Sequence, residues 1–164
     1  MPDLVPLGGC DPQAVEHLLD AAFGVDRHGR TAYKLRAGMA FTSHLSFGLI
    51  EGTDLIGSIQ CWPVSLTNDH GSTPLLLVGP VAVSPDRQNT GLGHRLMNAM
   101  LAASLPSDPP MVMIGDPEYY ERFGFYAQAT QGWDLPGPWE RRRLLLRNAH
   151  HAPLPAIGHL GPRQ

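Results

Sequence analysis

The chain has 164 residues, 43% of them apolar and 16% charged, with a formal net charge of −3. That is enough apolar residue for one buried core, while the acidic balance excludes a general nucleic-acid binder, whose footprint is basic. No apolar run approaches the ~20 residues that span a bilayer, no basic-then-apolar leader opens the chain, and Cys10 and Cys61 make no disulfide framework, so a cytoplasmic protein off the membrane is expected.

Leu4–Leu7 reads as a first strand. Asp11-Pro12 then opens a helix through Phe23, with Val15, Leu18, Leu19 and Phe23 on one face and Gly24 closing it. A weaker helix is expected over 31–37. Asp26-Arg-His-Gly-Arg30 between the two reads as a solvated loop. His44–Ile50 and Leu55–Val64 form an expected hairpin about Glu51–Asp54, and Leu66–Pro74 an expected polar connection. Pro74–Val83 is a long strand interrupted at Gly79-Pro80, since proline cannot donate a ladder hydrogen bond. After it, Leu92, Leu96, Met97, Met100 and Leu101 recur at helical spacing. Met111–Gly115 is a short strand, and Asp116-Pro117 starts a short helix that ends at Gly124, with Phe125 opening another strand. Pro136–Pro138 is a loop, 141–148 a last strand, and 150–164 a loose tail behind one domain of residues 1–149.

The densest signal is Val81-Ala-Val-Ser-Pro-Asp-Arg-Gln-Asn-Thr-Gly91-Leu-Gly93-His-Arg-Leu-Met97. It is a strand, a polar glycine loop and a helix start. Unsatisfied N–H groups at a helix N-terminus attract phosphate, and glycine lets a ligand approach the backbone closely. The loop is no Walker A motif, for it has no Gly-Lys-Ser/Thr. Nor is it a dinucleotide fingerprint, because no third glycine follows at the right spacing.

Gln88-x-x-Gly91-x-Gly93 resembles the acetyl-CoA loop of the GNAT acetyltransferase superfamily, and Tyr120-Glu-Arg-Phe-Gly124-Phe125 resembles that family's Y-x-x-x-G-F motif. The two stand in the family order, and the likeness covers roughly residues 75–127. The resemblance implies an α/β fold with a central, mostly antiparallel mixed sheet of six to seven strands, about four flanking helices and a splayed central parallel pair. It also implies acetyl-CoA as co-substrate, with contacts from Val81, Ala82, Val83, Gln88, Asn89, Thr90, Gly91, Leu92, Gly93 and His94. Tyr120 is then the acid toward the departing thiolate, with Tyr119 as its competitor for the place.

The general base has several candidates. Leu75–Val83 holds no ionisable residue, so Asp116, His44 and Glu51 are the candidates, beside a water relay or an amine that arrives neutral. Asp116 also suits a helix cap. His150, His151 and His159 lack acidic neighbours in sequence, and no metal site is expected. Arg141–Arg143 reads as an exposed edge that could meet an acidic partner or the CoA 3′-phosphate, and Trp62, Trp133 and Trp139 read as core and loop packing, with the lining of an acceptor pocket as the alternative. The expected function is transfer of acetyl to a primary amine of a small molecule or peptide. The rival is an acyl-CoA-binding module without turnover. Dimerisation, common in the family, stays open. An aminoacyl-tRNA acceptor fits poorly with the acidic charge.

Overall fold

The first signalled helix start has its cap in the structure. The Asp11 carboxylate accepts from the Gln13 N–H at 3.0 Å, with proline in the first turn, and Gly24 closes the same helix. The computed structural model describes residues Met1–Gln164. In order, its elements are β1 (Asp3–Pro6), α1 (Pro12–Phe23), α2 (Thr31–Leu35), β2 (Phe47–Glu51), β3 (Asp54–Asn68), β4 (Gly71–Val83), α3 (Leu92–Ala103), β5 (Met111–Ile114), α4 (Pro117–Tyr120), β6 (Gly132–Asp134), β7 (Leu144–Arg147) and β8 (Ile157–Pro162). The strands form one open mixed sheet in the order β1-β2-β3-β4-β5-β7, with β8 beside β3 and β6 beside β8. No helix is long and apolar enough to cross a membrane.

The chain divides into two units. The first comprises Met1–His28, Phe41–Cys61 and Gly79–Leu105. Here α1 lays Val15, Leu18 and Leu19 on Leu7 and Ala82, as its periodicity requires, and α3 buries Leu96, Met97 and Met100. Between Leu49 and Ile50 the β2–β3 register shifts. The loop after α1 departs from expectation. Arg27 is 2% exposed and donates to Asp20 Oδ1 at 3.0 Å and to Glu16, so the charge read as solvated is buried and paired. Glu16 and Asp20 stand one turn apart on α1, which brings both carboxylates to one guanidinium.

The second unit comprises Gly29–Ala40, Trp62–Val78 and Pro106–Gln164. Its core gathers Val64, Leu66, Leu75, Leu77, Val112, Leu144 and Leu146 about a fully buried Trp133, whose indole N–H donates to the Pro155 carbonyl at 2.9 Å. Three expectations are corrected here. Leu66–Pro74 is no connection, because β3 runs to Asn68 and β4 starts at Gly71. Phe125 opens no strand, and Tyr126 makes one isolated bridge to Leu146. The loose tail carries a strand, Ile157–Pro162: Val64–Thr67 pairs with His159–Pro162, and Trp133 with Gly158. Its alternation is hidden because glycine fills one of the two inward positions, Gly158, beside Leu160.

Arg163 fastens this last strand. Its guanidinium donates to the Val64 carbonyl at 2.8 Å and to the Leu75 carbonyl at 2.6 Å. Arg163→Ala leaves both carbonyls without that donor and is expected to cost about 1–3 kcal/mol. Urea denaturation of the two proteins checks it, and an unchanged midpoint contradicts it.

Candidate active site

The strand–loop–helix segment lies wholly in the first unit. β4 ends at Val83, and the Ser84 N–H donates to the Ile56 carbonyl at 2.8 Å, which fixes the departure of the loop from the sheet. Ser84 Oγ holds Asp86 at 2.7 Å, and Gln88 Nε2 reaches the Val83 carbonyl at 3.5 Å. Asn89 takes φ 62° and Gly91 φ 84°, so two left-handed residues turn the backbone before α3. Gly91 is the helix N-cap residue and supplies no side-chain cap. A Cβ there would meet nothing within 4 Å, and one on Gly93 would only graze Val83. The entrance to α3 is therefore open on its outer side, and the first-turn N–H groups of a helix have no partner within the helix itself. Such an entrance suits a diphosphate. Gln88, Asn89, Thr90, Gly91 and His94 are exposed, Leu92 and Gly93 half-buried. Val81 and Val83 are half-buried on β4, while Ala82 packs under α1. β4 is continuous through the cis Gly79–Pro80 peptide rather than interrupted there.

The tyrosine motif lies in the second unit. The parallel β4–β5 ladder consists of Leu76↔Met111 and Leu77↔Val112 and then stops, although β5 runs on to Ile114. At its end, Gly115 is packed by Tyr120: a Cβ on Gly115 would lie 2.5 Å from the ring. That explains glycine here, and it distinguishes the two tyrosines. Tyr120 is seated on the end of β5, while Tyr119 stacks edge-on to it at 4.9 Å with Arg122 over its other side at 4.4 Å. Burial first, then Tyr119 and Asp116, push the Tyr120 phenol up to about 12, with Arg143 opposing. A phenol so held stays protonated across the physiological range and is a proton donor.

Asp116 stands at the helix N-cap position, but its side chain does not cap; Tyr119 and Tyr120 bond its backbone carbonyl instead. Its carboxylate lies 3.3 Å from Arg143 Nε, close enough for charge attraction but without the aim of a hydrogen bond, since that N–H has no acceptor. Glu51 is bound to Arg87 at 3.0 Å. His44 is exposed on the turn before β2. The basic triplet is also engaged: Arg142 with Glu118, Arg143 with Asp116, and Arg141 with the Gln131 and Trp133 carbonyls. His159, without an acidic neighbour in sequence, has one in space, for β6–β8 pairing sets its Nδ1 2.5 Å from Asp134. Sequence reasoning missed Ser58 and Gln60, which are buried side chains of β3 whose Oγ and Oε1 have no hydrogen-bond partner. Their signal was two polar residues at alternate positions of an apolar strand.

A mixed sheet whose long fourth strand runs through a glycine loop into a helix is the architecture of an acetyltransferase fold. The chain belongs to the GNAT acetyltransferases, for the family described as "Acetyltransferase (GNAT) domain" matches residues 9–128. The sequence matches no curated protein. In fold the chain is similar to the GNAT family N-acetyltransferase YhbS from Escherichia coli in complex with CoA, at TM-score 0.70 and 18% identity over 98% of this chain and 89% of that one. It is similar also to a GNAT family acetyltransferase from Brucella melitensis in complex with acetyl-CoA, at TM-score 0.67 and 24% identity over 98% and 95%. Arabidopsis thaliana Naa50 with a bisubstrate analogue follows at TM-score 0.53 and 16% identity over 88% and 95%.

Gly115→Ala is expected to destabilise by about 1–3 kcal/mol, because the methyl must displace the Tyr120 ring. In a Tyr120→Ala background the same change should cost almost nothing. A double-mutant cycle by thermal or urea unfolding measures this coupling, and additive losses would refute the contact.

Proposed function

We propose that the protein is an acetyl-CoA-dependent N-acetyltransferase that acetylates a primary amine of a small molecule or peptide by direct attack on the thioester. The observation that carries the proposal is the open, uncapped helix entrance at Gly91. Family membership and the CoA-bound structural relatives support it.

In this reading the backbone of Gln88–His94 holds the diphosphate, and the backbone of Val81, Ala82 and Val83 runs beside the pantetheine arm and thioester. The amine lone pair bonds the acetyl carbon. The carbon–sulfur bond then breaks, and sulfur leaves with that electron pair and takes a proton from Tyr120. Solvent accepts the proton shed by the amine and returns one to the phenol. Asp116, beside Arg143, balances charge near Tyr120 rather than serving as base. No strong side-chain base is assigned, because Glu51 is occupied by Arg87 and Leu75–Val83 has nothing to titrate.

Calorimetry with CoA, and thiol release from acetyl-CoA across a panel of amines, test the proposal. Gly91→Val should weaken CoA binding tenfold or more, since a β-branched residue resists positive φ. Tyr120→Phe should lower kcat by roughly 10²-fold with CoA affinity kept. The phenol is already protonated below its raised value, so this loss should be equal at pH 7 and pH 9.5. CoA binding without turnover on any acceptor would favour the non-catalytic module, which the uncharged Leu75–Val83 stretch permits.

A further inference from the structure

Most buried polar side chains in this protein are provided for. Ser46 Oγ donates to the Thr42 carbonyl at 2.9 Å and accepts from the Cys61 N–H at 3.1 Å. Thr130 Oγ1 donates to the Leu144 carbonyl at 2.6 Å, and Arg27 has two carboxylates. In the first unit Ser58 and Gln60 are the exceptions. They are 0% and 5% exposed, and Ser58 Oγ and Gln60 Oε1 meet no hydrogen-bond partner. Burying such an atom unmet is unfavourable, so two of them together call for a donor supplied from elsewhere.

Their place is informative. Residues two apart on a strand share a face. Gly48 pairs with Ser58, and a Cβ on Gly48 would meet Leu7, Cys10 and Leu55, which is the α1 face of the sheet. Gly57 points the other way, toward Leu96 of α3. Ser84 bonds Ile56, so Ser58 and Gln60 lie alongside the last residues of β4, the stretch that leads into the glycine loop. Ala82 packs on the same α1 face. This face therefore offers two neutral oxygens next to the strand that the proposed reading assigns to the thioester, and no carboxylate on Leu75–Val83.

Resting on that reading, we infer that Ser58 Oγ and Gln60 Oε1 accept the N–H bonds of the acceptor amine, and that the acceptor is an amine with a substantial uncharged fraction near neutral pH. Two neutral acceptors hold an NH₂ group with its lone pair free, but they cannot repay the desolvation of an ammonium. An arylamine is almost wholly neutral at that pH, and an α-amine of a peptide, with an ordinary pKa of about 7.7–8.0, is about a quarter to two-fifths neutral at about pH 7.5, whereas an alkyl amine of the lysine type, at about 10.4, is neutral in only about one part in a thousand.

The test uses the full chain. Wild type, Ser58→Ala, Gln60→Met and Gln60→Glu are compared by CoA calorimetry, thermal unfolding, and thiol release at pH 7.5 with a short peptide α-amine, an arylamine and an N-blocked lysine. Wild type should favour the first two over the lysine by tenfold or more in kcat/KM. Ser58→Ala and Gln60→Met should each raise KM for the favoured amine about tenfold, with CoA affinity within twofold and Tm unchanged or higher. Gln60→Glu, where it folds, should narrow the preference toward lysine. Lower Tm with unchanged acceptor KM would mean a structural role met by water and would overturn the inference. A lysine preference in wild type, or CoA binding with no turnover of either favoured amine, would overturn it too. Failure of wild type to bind CoA would instead sink the acetyltransferase reading beneath it.

Discussion

A helix entrance whose amides are kept uncapped constrains everything nearby. Most helices satisfy the first N–H groups with a serine, threonine or aspartate, as α1 does with Asp11. α3 forgoes this, because Gly91 has no side chain to offer. The cost is tolerable only while the backbone on either side is held rigidly. The Ser84–Ile56 bond ties the loop to β3, and Leu96, Met97 and Met100 seat the helix in the core. The segment is thus anchored at its two ends, while its middle, Gln88–Gly91, is exposed.

Tyr120 shows the same economy in the second unit. Its environment is made by a glycine that withholds a Cβ, by burial, and by one carboxylate set against one guanidinium. None of these groups is aimed at the phenol as a hydrogen-bond acceptor would be. The ring is positioned by packing and its proton retained chiefly by desolvation.

Legibility in the sequence followed the range of the forces involved. α1 and α3 were readable because periodicity, caps and glycine stops act within a few residues. Both loop motifs were readable for the same reason, and so was the end of β5 at Gly115-Asp116. What escaped depends on partners far along the chain. β6 and β8 are short strands, and β8 carries glycine and histidine, so only their pairing with each other and with β3 makes them strands. Arg27 looked solvated because its carboxylates lie one and two turns back on the neighbouring helix. Ser58 and Gln60 went unread because polar residues at alternate strand positions are the ordinary pattern of a solvated face, and only the fold shows them to be buried.

The strand made from residues 157–162 also bears on synthesis. Its partner in β3, Val64–Thr67, is translated almost a hundred residues earlier. Until the later segment emerges from the ribosome, that half of β3 carries an unsatisfied edge, and such edges invite pairing between nascent chains. Asn68, Asp69 and His70 cluster polar residues at the end of that edge, and Thr67 and Ser72 lie within 3.4 Å of each other across the turn. This polar cap makes the hairpin tip a poor template for intermolecular association while the chain waits to be finished.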